Sequence, residues 1–141
     1  MLIRLAALLI SMIPLLLSPL SGESAAPADL TGFWMDSWSQ RAHMDLTQEN
    51  GEYTAVIHWA GSAFEHVEWR MSGTFDEYGV LTSDNCTKSL HSFDEEGSES
   101  VEILYENEEA ALICLDGVIT WQDAEGMGAE CRFEKMELSE E

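Results

Sequence analysis

Residues 41–59 read RAHMDLTQENGEYTAVIHW. Two runs of alternating apolar and polar residues flank Asn50-Gly51. Alternation with a period of two marks a half-buried strand, and Asn-Gly supplies the two positive φ angles that a type I′ turn needs. The stretch therefore predicts a β-hairpin whose turn sets its own register. Met44 faces Ile57 and Leu46 faces Ala55. Ala42, Met44 and Leu46 then share a face with Tyr53, Ala55, Ile57 and Trp59, and the opposite face puts His43 beside His58.

The same pattern continues outward from this hairpin. Short β-branched and aromatic runs alternate with turn signals, which is the spacing of an antiparallel barrel or sandwich. Nine strands are expected: Gly32–Asp36, Arg41–Gln48, Glu52–Trp59, Glu65–Phe75, Val80–Thr87, Ser98–Tyr105, Ala110–Leu115, Val118–Gln122 and Gly128–Met136. Asp116-Gly117 is a second two-residue turn, and Asp76-Glu77-Tyr78-Gly79 a four-residue one. Val67, Trp69, Met71 and Phe75 share a face, as do Leu112, Cys114, Ile119 and Trp121, and Ala129, Cys131 and Phe133. One-sided sheets hide the apolar face by closing or pairing. The expected fold is all-β, an antiparallel up-and-down β-barrel of eight or nine strands, with a β-sandwich as the alternative.

The first strand carries Thr31-Gly32-Phe33-Trp34. This Gly-x-Trp resembles the opening of the calycin barrels, meaning lipocalins, avidins and fatty-acid-binding proteins. The resemblance implies that Gly32 and Trp34 are structural, with Trp34 plugging one barrel end and a basic residue of the last strand lying across it. Arg132 is the first candidate for that residue and Lys135 the second. In size, export and acidity the chain is also similar to small secreted bacterial barrels that inhibit lysozymes.

Residues 1–28 read as a secretory signal peptide. Arg4 makes the positive n-region, Leu5 to Leu17 the apolar core, and Ala26-Pro27-Ala28 a small-x-small cleavage site. The expected mature chain, residues 29–141, is a single β-barrel domain, secreted to an extracellular or periplasmic space, with no stable membrane insertion after cleavage. The tail Leu138–Glu141 is expected to fray. Residues 1–28 contain only Arg4 and Glu23 as charged side chains, so the formal charge of −21 belongs to the domain. That charge disfavours nucleic acid and anionic membrane surfaces and suits a cationic partner.

Three cysteines, Cys86, Cys114 and Cys131, allow one disulfide and leave one thiol. Strands two apart in a sheet lie about 9.5 Å apart, beyond disulfide reach. Facing across the barrel favours Cys86–Cys131, with Cys114 free.

Two binding constellations stand out. Tyr53, Trp59, Trp69, Met71 and Trp121 face inward, where they fill the core or line a cup for a small apolar ligand. On the outer face His43 and His58 are joined by His66 if Ile57 sits beside Val67. Three imidazoles in a row can bind zinc or copper, with Glu68 nearby. No Gly-x-Ser-x-Gly nucleophile elbow and no EF-hand spacing occur. The expected role is binding without catalysis and without a cofactor: a small apolar ligand in the barrel mouth. The alternatives are a module that binds a cationic protein, such as an inhibitor of a cationic secreted enzyme, or an accessory domain.

Overall fold

Asn50 and Gly51 take φ of 57° and 86°, so the central turn has the two left-handed residues its sequence demands. The computed structural model describes residues 29–137; the expected signal peptide and the tail Leu138–Glu141 lie outside the described residues. On either side of the turn run β2 (Ala42–Glu49) and β3 (Glu52–Ala60). Their pairing sets Met44 opposite Ile57, Leu46 opposite Ala55 and His43 opposite His58.

The remaining strands are β1 (Gly32–Asp36), β4 (Glu65–Gly73), β5 (Val80–Phe93), β6 (Glu99–Leu115), β7 (Val118–Gln122) and β8 (Phe133–Lys135). Each pairs antiparallel with its sequence neighbour, and β1 pairs with β8 to close an eight-stranded barrel. The closed ring of eight antiparallel strands agrees with the expected all-β fold. The interior is filled by Trp34, Trp69, Trp121, Phe133, Met44, Leu46, Ile57, Met71, Leu81, Leu112 and Ile119, all almost fully buried. These are the inward positions of the period-two pattern, so burial of one face is what pins the register.

Three expectations need correction. First, Ser98–Tyr105 and Ala110–Leu115 are one strand. Glu106-Asn107-Glu108-Glu109 continues β6 with its side chains in solvent, and Asn107 absorbs the irregularity at φ 59°. The partner strand β5 likewise runs on to Phe93, with register shifts between Ser83 and Ser89. Such bulges bend a strand without ending it.

Second, the last strand starts late. Met127–Glu130 form one 3₁₀ turn, and only Phe133–Lys135 pair as β8. Gly128 packs against the Trp121 carbonyl, where a Cβ would clash. Arg132 therefore precedes β8, and its side chain reaches toward Glu134 at 3.8 Å instead of crossing Trp34. Trp34 itself is buried, 2% exposed, and its indole N–H donates to the Leu30 carbonyl at 3.0 Å. Its β8 partner is Lys135, whose Cε would lie 2.8 Å from a Cβ at Gly32. Lys135 is thus the basic residue at this end of the barrel, and Gly32 leaves room for its stem.

Third, Cys86, Cys114 and Cys131 are all free thiols, so the expected Cys86–Cys131 bridge is not formed. Cys131 sits in the extended segment after the 3₁₀ turn, where its thiol meets the Asp36 carboxylate. Cys86 points into the barrel from the bulged part of β5.

Candidate metal centre

All four histidines of the chain lie on consecutive strands: His43 on β2, His58 on β3, His66 on β4 and His91 on β5. Each occupies an outward position of its strand; the neighbours Met44 and Ile57 lie in the core and Val67 packs against it. His43 and His58 stack with centroids 4.7 Å apart, His58 and His66 lie at 5.5 Å, and His66 and His91 stack at 4.8 Å. Phe33 flanks the row at His43, 5.0 Å away, and Phe93 at His66, 6.0 Å away.

Carboxylates punctuate the row. His43, Asp45 and His58 bring one ligand atom each within 4.8 Å of one another, and so do His58, His66 and Glu68. His58 belongs to both sets. Two atoms each bound at about 2.1 Å to one ion lie at most about 4.2 Å apart, so small side-chain rotations complete either set. The ligand types, imidazole plus carboxylate, suit zinc and copper(II).

The surroundings hold these ligands in a usable state. Partial burial pushes the His58 pKa below its ordinary value, and the neighbouring His43 adds to this, against the raising influence of Glu68. A neutral imidazole is the form that binds metal. His91 grips the outer end. One ring nitrogen lies 2.6 Å from Glu99, and the other 3.0 Å from the Ser89 hydroxyl and 3.4 Å from Glu68. Arg70 also reaches Glu68, at 3.3 Å. Glu68 is thereby oriented from two sides, the arrangement by which outer partners position a metal ligand. The thiols are poor competitors. Burial, with Asp123 and Glu108 nearby, raises Cys86 to about 11, and burial with the adjacent Asp36 raises Cys131 to about 12, so both stay protonated at neutral pH.

Four residues of this centre come from the sequence reading: His43, His58, His66 and the nearby Glu68. His91, Asp45 and Glu99 are additions. His91 was missed because β5 was expected to stop at Thr87. The run Lys88-Ser89-Leu90-His91-Ser92-Phe93 alternates well enough to have extended it.

The five inward residues behave differently. Trp69, Met71 and Trp121 are buried to about 1% exposure, Tyr53 to 7%, and Trp59 alone is half-buried. Trp69 meets Trp121 edge-on at 4.9 Å, and Trp59 lies 6.2 Å from Trp69. The Tyr53 hydroxyl accepts from the Leu30 backbone N–H and the Gln48 amide. Lys88, unremarked in the sequence, turns inward with its ammonium over the Trp69 and Tyr105 rings and an ion pair to Glu125.

Compared with models of protein families, with curated proteins and with solved structures, the chain matches none.

Proposed function

We propose that this protein is an exported metal-binding barrel that takes up a divalent zinc or copper ion on the histidine row of its outer face. The observation that carries the reading is His58, half-buried and shared by two sets of three ligands. The negative charge of the domain adds a long-range attraction for cations. Export is supported by the pattern of residues 1–28, and a calycin-like relationship by Trp34 buried at the barrel end beside Lys135. Calorimetric titration with zinc tests the binding. Wild type should take up one equivalent, and His58→Ala should lose about tenfold or more in affinity, in the range seen when a metal ligand or its support is removed. Equal affinity in His58→Ala would show that zinc binds elsewhere among the carboxylates.

A second reading, a small ligand in the barrel mouth, draws on a different observation. The indole N–H groups of Trp69 and Trp121 and the Tyr105 hydroxyl are buried without a hydrogen-bond partner, beside the Lys88 ammonium. A ligand carrying an acceptor would satisfy groups that are costly to bury unpaired. Native mass spectrometry after expression and export tests this reading: a retained mass lost in Trp69→Phe supports it, and a bare chain mass removes it.

A further inference from the structure

The β6 strand is paired on both sides only at its C-terminal end. Ala111–Leu115 pair with β7, while Glu99–Ala110 pair with β5 alone. Among the described residues no strand lies against the other side of that segment. Every residue from Glu99 to Glu109 is exposed except Tyr105, and Val101 and Ile103 are 54% and 49% exposed. An unpaired edge of this length is a template for another strand.

The space beside the edge is open. A groove of about 1250 Å³ reaches the edge where β6 and β7 part: Asn107–Ala111 of β6 and Gln122–Ala124 line one part of it, and Ser72–Thr74 and Thr82–Asn85 the other. Its carboxylates are Glu52, Asp84, Glu108, Glu109 and Asp123, and no lysine, arginine or histidine lines it. The edge itself adds Glu99, Glu102 and Glu106. Two copies pairing edge to edge would bring these glutamates against one another, which is destabilising. The charge therefore selects against self-pairing and in favour of an occupant of opposite sign.

We infer that the free edge of β6 docks an extended, lysine- or arginine-rich segment of a partner protein by strand addition, its backbone pairing with Glu99–Ala110 and its basic side chains reaching the glutamates and the groove. Main-chain hydrogen bonds supply affinity in this mode and alternate side chains supply selectivity. On the outer face Val101 and Ile103 offer apolar contact to every second residue of the incoming strand. They pair across β5 with His91 and Ser89, so the partner would lie next to the histidine row, although the docking does not depend on metal.

The probe is a synthetic peptide of about nine residues alternating lysine and valine, a common strand length. Fluorescence anisotropy with the purified protein should show saturable one-to-one binding that weakens with salt. The same peptide N-methylated at alternate residues keeps its charge but cannot pair as a strand, and should bind about tenfold or more weaker. Amide resonance shifts should concentrate on Glu99–Ala110, and Glu106→Lys with Glu108→Lys should weaken binding further. Equal binding of the N-methylated peptide would reduce the attraction to net charge and overturn the proposal. So would shifts elsewhere in the barrel, absence of saturation, or a stable dimer that the peptide fails to dissociate.

Discussion

Asp36 is fully buried at the end of β1 and ties that strand to the segment that leads into β8. Its carboxylate accepts from the Trp38 and Ser39 backbone N–H groups, from the Ser39 hydroxyl and from the Arg132 backbone N–H at 2.8 Å. Burial works against its charge, but these donors outweigh it and hold its pKa below the ordinary value. Asp36→Ala should cost about 3 kcal/mol or more, because it leaves several donors unmet in a dry site; urea unfolding measures it, and a loss below about 1 kcal/mol would show that water replaces the carboxylate. His58 gives a different pH signature. Its folded pKa is lowered, so the unfolded chain takes up the proton first as pH falls. Its contribution to stability is complete above the ordinary histidine pKa and is lost as pH falls through the lowered value. The stability difference between wild type and His58→Gln should therefore change across mildly acid pH in favour of the variant. Parallel curves would mean that His58 titrates normally.

At the scale of the element, the turn residues set the register. Gly51 sits at φ 86° in the β2–β3 turn, and a β-branched residue there is strained. Gly51→Val should destabilise by about 1–2 kcal/mol while leaving the His43–His58 pairing intact, read by the cross-strand proton contacts of the two rings. Slippage by one residue would instead turn Met44 and Leu46 to solvent. This hairpin was wholly legible in the sequence, because turn chemistry and burial pattern agree. The β5–β6 ribbon was not. Its outer half faces water on most positions, so charge there looked like loop, and bulges broke the alternation that reveals strands. His91 was lost with it. The C-terminal segment failed for another reason: Gly128-Ala129-Glu130 reads as alternating, yet the tight approach of Gly128 to Trp121 winds it into a 3₁₀ turn. The packed pair Trp69 and Trp121 was visible as inward positions, whereas Lys88 over the Trp69 ring was not, since a lysine in a strand ordinarily reads as a solvent contact.

For the whole molecule, the dominant electrostatic fact is a net charge of −21 on a small barrel. Self-repulsion destabilises such a compact body, and salt screens it over a Debye length of about 8 Å at physiological ionic strength. Thermal midpoints should rise with added sodium chloride. A fall would indicate that local ion pairs such as Lys88–Glu125 and Arg70–Glu68 outweigh the global field. A bound divalent cation should raise the midpoint more than its ionic strength alone, since it stabilises only the folded row. The measurement that bears most directly on the metal centre is anomalous diffraction at the zinc edge from crystals grown with one equivalent of zinc. A single strong peak about 2.1 Å from a ring nitrogen of His58, with His43 or His66 as its neighbour ligand, is the predicted result. Peaks confined to the surface carboxylates, with His58 unligated, would contradict it.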